Sequence, residues 1–171
     1  MNAFGYEHEL ARAYYKLLTA LDWRDDVLIT GLREGLNKFL SNAYLCCFRG
    51  VQKYHKTHFV SLRALDRLQR KDYKGLVFEY LVPKRHHLQK LCEERAAEGS
   101  LTIGYIEDLL KSYWRLATVT KEEDASLRKY TMPDDWDGKA VFARYQAVGI
   151  ELIENPFFST TKRKEEMKDS S

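Results

Sequence analysis

Apolar positions spaced three and four residues apart recur in several stretches of the chain. Residues 6–21 place Leu10, Ala13, Tyr14, Leu17, Leu18 and Leu21 on one side, which predicts an amphipathic helix broken by the polar run 22–26. Residues 27–48 repeat the pattern around Gly31 and Gly35. Each glycine costs up to about 1 kcal/mol against alanine in a helix interior, so the pair marks either close helix packing or a break. In residues 60–73, Leu62, Leu65 and Leu68 fall on one side. Arg63, Arg67, Arg70, Lys71 and Lys74 recur on the other, and Gly75 ends the helix.

The period then changes. Residues 76–82 are short, β-branched and aromatic, and stop at Pro83, which predicts a strand buried on both faces. Helical spacing resumes over 84–98 through Leu88, Leu91, Cys92 and Ala96, with Gly99 as its C-cap. A further helix opens at Ser100 or Thr102 and ends near Tyr113. Residues 114–119 predict a second strand. Thr120-Lys121-Glu122-Glu123 fits a capping box, in which hydroxyl and carboxylate each satisfy a backbone amide, and a short helix to Arg128 follows. Residues 131–138 form an acidic turn, 139–148 a short helix and 149–153 a strand or turn, and Asn155-Pro156 closes the fold. The polar stretch 159–171 predicts a flexible tail.

These elements predict an α+β fold, one domain over residues 1–158. A helix-rich N-terminal half packs with a small sheet and helices in the C-terminal half. The two strands 76–82 and 114–119 centre the sheet. The two helices between them permit a right-handed parallel crossover, so their relative direction stays open.

Composition narrows the class. The chain has 171 residues, 44% of them hydrophobic and 31% charged, which is a globular balance. A chain of this length buries roughly two thirds of its unfolded surface and needs no disulfide to hold a core. No run of about 18 apolar residues exists to span a membrane, and the N-terminus has no apolar signal segment. Three cysteines suit a reducing, cytoplasmic setting. Cys46 and Cys47 read as small buried hydrophobes, with His55 and His58 the nearby imidazoles that a zinc site would need.

The net charge of +3 names no partner, but its distribution is uneven. Residues 1–75 carry 13 Lys and Arg against 8 Asp and Glu, whereas residues 76–158 carry 11 against 14. The excess concentrates in Lys53, Lys56, Arg63, Arg67, Arg70, Lys71 and Lys74, with Tyr54, Phe59 and Tyr73 among them. Cations at helical spacing contact phosphates, and interleaved rings stack on bases, so these residues are the candidate nucleic-acid contacts. Pairing with the acidic half competes with that role.

No phosphate-binding glycine loop, dinucleotide fingerprint, nucleophile elbow or HExxH motif is present. Chemistry is best sought in residues 79–87, Glu-Tyr-Leu-Val-Pro-Lys-Arg-His-His, where a strand meets a helix. A carboxylate there can hold Mg²⁺, a lysine can stabilise phosphate charge, and a histidine can move a proton. Glu79, Lys84, His86 and His87 are therefore the candidate catalytic residues, with Glu79 the candidate metal ligand. Glu79-Tyr80-Leu81-Val82-Pro83 resembles, over five residues, the acid-His-x-x-Pro opening of HNH nucleases, with Tyr80 standing where that family has histidine. The resemblance implies metal-dependent phosphodiester cleavage. Asp134, Asp135 and Asp137 form a second acidic cluster, read as a solvated turn. Two functions follow as expectations: a cytosolic nucleic-acid-binding protein that acts as a Mg²⁺-dependent endonuclease on DNA or RNA, or a non-catalytic regulatory or immunity-type module that docks a protein partner.

Overall fold

A computed structural model describes residues 5–158; the tail expected at 159–171 lies outside the described residues. In chain order the elements are α1 (Tyr6–Thr19), α2 (Asp26–Cys47), β1 (Phe59–Ser61), α3 (Leu62–Gln69), β2 (Leu76–Tyr80), α4 (Lys90–Ala97), α5 (Ile103–Tyr113), β3 (Leu116–Thr120), α6 (Lys121–Ser126), α7 (Ala143–Gln146) and β4 (Leu152–Glu154). A 3-10 turn occupies Lys53–Lys56, and a π-helical turn at Arg85–Gln89 leads into α4. The fold is α+β. The chain divides into two compact units, a helical one (residues 5–49 and 84–113) and a sheet one (residues 50–83 and 114–158).

In the helical unit, α1 buries Leu10, Tyr14 and Leu18 of its expected stripe, with Ala11 in addition, while Ala13, Leu17 and Leu21 are half-buried. Helix α2 starts at Asp25, whose Oδ1 accepts from the Leu28 amide at 2.9 Å. Only its second half is buried, through Leu36, Leu40 and Tyr44. Tyr6 meets Tyr44 edge-on at 5.3 Å. Gly31 and Gly35 neither break α2 nor permit a close approach, since a Cβ at either would meet open space. The chain leaves α4 through Gly99, in the left-handed region at φ 72°, with the Ser100 amide bonded to the Arg95 carbonyl at 2.8 Å.

The sheet unit holds four strands in the order β2-β3-β1-β4. β3 is buried along its whole length. β1 runs parallel to it, with Phe59 opposite Ala117. β2 runs antiparallel, from Leu76 opposite Thr120 to Tyr80 opposite Leu116, which settles the direction of the two expected strands. β4 pairs antiparallel with the far side of β1. Two apolar clusters cover the sheet, one around Leu81, Ala117, Val119, Leu127 and Tyr145, the other around Val60, Ala64, Leu68 and Leu76.

Several elements differ from expectation. Val60 and Ser61, read as the start of a helix, belong to β1. The strand and helix abut without a loop because Ser61 is both the last strand residue and the N-cap of α3, accepting from the Ala64 amide at 3.1 Å. β2 is an edge strand and not one buried on both faces; beyond Leu76 its residues are half-buried. The helix expected over 139–148 contracts to α7, because Asp137 Oδ1 takes the amides of Lys139 and Ala140 at 2.8 Å and holds that stretch as a turn. Helix α3 likewise stops at Gln69. Its end is a Schellman closure, Asp72 amide to Arg67 carbonyl at 2.9 Å and Lys71 amide to Leu68 carbonyl at 3.0 Å, with Lys71 at φ 57°.

Candidate nucleic-acid interface

The residues picked from segment 79–87 fall in different units. Glu79 belongs to the sheet unit, and Lys84, His86 and His87 to the helical unit. On β2, Glu79 Oε1 accepts from Arg144 Nη2 at 2.7 Å. Arg144 is only 1% exposed and also donates to the carbonyls of Tyr80 and Arg128. Burial pushes the Glu79 carboxyl above the usual range, against the opposing pull of Arg144. The adjacent Tyr145 hydroxyl is buried as well, and burial raises its pKa. The outward carbonyls at the two ends of β2 are both occupied: Leu76 accepts from the Tyr54 hydroxyl at 2.8 Å, and Tyr80 from Arg144. Side chains thus blunt an edge that would otherwise be open to another strand.

In the helical unit, Lys84 Nζ donates to the Asn37 carbonyl at 2.6 Å and to Ser41 Oγ at 2.7 Å. Gln89 Nε2 reaches the Leu36 and Asn37 carbonyls at 3.2 and 3.1 Å. Arg85 and Arg33 converge on the buried Glu93 carboxylate at 2.7 and 2.9 Å. These bonds fasten the π-turn to α2, and Lys84 is one of the fasteners. His86 is exposed. His87 is half-buried, its ring 6.1 Å from that of Tyr113, and burial lowers its pKa, with His86 adding to the effect.

The acidic turn is explained locally. Asp134 pairs with Arg128 at 2.8 Å, Asp137 caps the following amides, and the Trp136 indole donates to the Ala140 carbonyl at 2.9 Å. Neither Cys46, which is exposed, nor Cys47, which is half-buried, is the core residue its apolar neighbours suggest. His55 stacks on Phe157 at 4.4 Å, and His58 Nδ1 accepts from the Leu116 amide at 3.2 Å. No group of three or more His, Cys, Asp or Glu that could hold a metal ion occurs among the described residues.

The candidate basic contacts separate into three groups. Lys56 is buried. Arg70 pairs with Asp66 on the same helix, and Arg67 lies 3.7 Å from Asp72 while Nη1 donates to the Lys74 carbonyl at 2.6 Å. Lys53, Arg63, Lys71 and Lys74 are exposed and form no ion pair among the described residues. Lys53 Nζ lies 5.5 Å from the Phe78 ring centroid and 5.7 Å from that of Tyr54. Tyr54 stacks on Tyr73 at 6.3 Å. The three rings are half-buried, so Lys53 borders an aromatic surface still partly open to solvent, and the exposed Lys71 and Lys74 flank Tyr73 along the chain.

Two long-range ties of the sheet unit escaped sequence reasoning. Asn155 is buried; its Nδ2 donates to the Tyr54 carbonyl and to Thr57 Oγ1, both at 3.0 Å, and Thr57 meets Thr118 Oγ1 at 2.8 Å. Arg144 is the other, and it lies 65 residues from Glu79 along the chain. Nothing local in the sequence distinguishes either residue from a surface polar group. Comparison with family models, with curated proteins and with solved structures produced no match to this chain.

Proposed function

We propose that this chain is a nucleic-acid-binding protein that holds its ligand on the sheet unit and acts by binding rather than by cleavage. The observation that carries the reading is the placement of Lys53 over Phe78 and Tyr54, beside the Tyr54–Tyr73 stack, with the exposed Lys71 and Lys74 flanking Tyr73 in the sequence. Cations take phosphates, and the rings offer π-faces to unstacked bases, which a duplex does not present. The pairing of Glu79 with Arg144 favours binding over Mg²⁺-dependent cleavage, because a carboxylate already neutralised by a buried guanidinium is a poor ligand for a hard cation. A cytoplasmic setting accords with the free cysteines.

The test is fluorescence anisotropy with labelled single-stranded and duplex oligonucleotides across a salt series, with Mg²⁺-containing incubations resolved on gels. Single strands should bind more tightly than duplexes. Lys74→Gln should lower the slope of log affinity against log salt by about one, and Phe78→Ala should weaken single-strand binding by about 1–3 kcal/mol. Salt-insensitive or absent binding overturns the reading in favour of a protein partner. Mg²⁺-dependent cleavage that Glu79→Gln abolishes would restore the endonuclease.

A further inference from the structure

At the ends of the parallel strands β1 and β3, the sheet unit has a groove of about 410 Å³ between the start of α3, helix α6 and the turn at 148–151. Its apolar lining is Leu62, Val148 and Ile150. Leu62 is 50% exposed and Val148 41%, so two of the large hydrophobic side chains most open to solvent face one cavity. The polar lining is acidic in balance, with Glu122, Glu123 and Glu151 against Arg63. Glu123 is only 9% exposed. Its Oε2 is committed, accepting from Ser61 Oγ at 2.6 Å and from the Thr120 amide at 2.9 Å. Its Oε1 accepts no hydrogen bond among the described residues. Oε1 therefore remains able to accept from a molecule seated in the groove, and the acidic balance of the lining favours a cationic one.

We propose that this groove binds a primary ammonium group carried on an alkyl chain, the chemistry of an aliphatic amine or of a lysine side chain. The alkyl stem lies along Leu62, Val148 and Ile150, and the ammonium donates to Glu123 Oε1 with Glu151 and Glu122 at the rim. Apolar walls remove the stem from water, and the buried carboxylate confers selectivity for charge. Three carboxylates without further ligands do not amount to a metal site here, since no metal-holding group is found among the described residues.

The test is a ¹H–¹⁵N NMR titration of the full chain with n-pentylamine, 1-pentanol as the neutral isostere, and Nα-acetyl-lysine methylamide. Pentylamine should shift the amides of Leu62, Arg63, Glu122 and residues 149–151 and leave the rest of the sheet unit unmoved. Pentanol should bind about tenfold more weakly, the loss expected for a charge-assisted hydrogen bond. Glu123→Gln keeps a capping acceptor but removes the charge, and should weaken pentylamine to the level of pentanol. Val148→Arg, at an exposed position outside the capping network, should block the groove with its own cation and abolish the shifts while the fold persists. Tighter binding of the lysine derivative assigns the site to polypeptide lysines, and tighter binding of pentylamine to free amines. Shifts that scatter over the acidic surface, survive Val148→Arg or fail to distinguish pentylamine from pentanol overturn the proposal.

Discussion

Arg144 decides how Glu79 behaves. Its guanidinium satisfies a carboxylate on β2 and two carbonyls at once, so it joins strand and loop from inside the unit. Removing it strands a buried charge and two acceptors together, which is the costly way to break such a pair. Arg144→Met should lower unfolding stability by about 3–5 kcal/mol in urea melts. Glu79→Gln, which keeps a hydrogen-bonding oxygen, should cost clearly less. The pH dependence follows from the raised Glu79 carboxyl. A carboxyl whose folded value exceeds its unfolded value favours the protonated folded state, so its contribution is complete below the ordinary carboxylate range and lost as pH rises through the folded value. Stability of the native chain should therefore fall relative to Glu79→Gln as pH climbs from about 4 upward. A parallel pH profile for the two proteins would show that Arg144 outweighs burial.

At the level of elements, one carboxylate coordinates two strand-to-helix transitions. Glu123 completes the capping box of α6 and also receives Ser61, the cap of α3. The box itself was legible: Thr120 and Glu123 stand three apart, and both hydrogen bonds are local, so sequence spacing is enough to specify them. The Ser61 half was not legible, because its partner lies 62 residues away and a three-residue strand is too short to show a period of two within a run that also has helical spacing. The same limit hid Arg144 and Asn155, whose roles depend on contacts closed only by the folded sheet. Thr120→Ala should cost about 1 kcal/mol. Ser61→Ala should cost at least as much in the same melt, since it removes the α3 cap and deprives a buried carboxylate of a donor. Equal stability of Ser61→Ala and the parent would mean that neither the α3 cap nor the bond to Glu123 contributes net stability.

On the scale of the whole molecule, the order of elements along the chain differs from their order in space. The helices α4 and α5 enter the sequence between β2 and β3, which are antiparallel neighbours. The pairing continues past the strand ends, with the Leu81 amide bonded to the Arg115 carbonyl at 2.9 Å. The sheet unit therefore holds both ends of the inserted segment at the separation of a hairpin, a distance that a short turn can span. It also has two apolar clusters drawn entirely from its own residues. A chain that begins at Gly50 and replaces residues 84–113 with a short Asn-Gly-containing loop should then fold by itself. The expected result is a cooperative thermal transition and dispersed amide signals, including those of β1 paired with both β3 and β4. If the shortened chain also retains salt-dependent binding of single strands, the binding surface lies within the sheet unit, as Lys53, Phe78 and Tyr73 require. A non-cooperative melt would mean that the helical residues contribute to the stability of the sheet through more than covalent continuity.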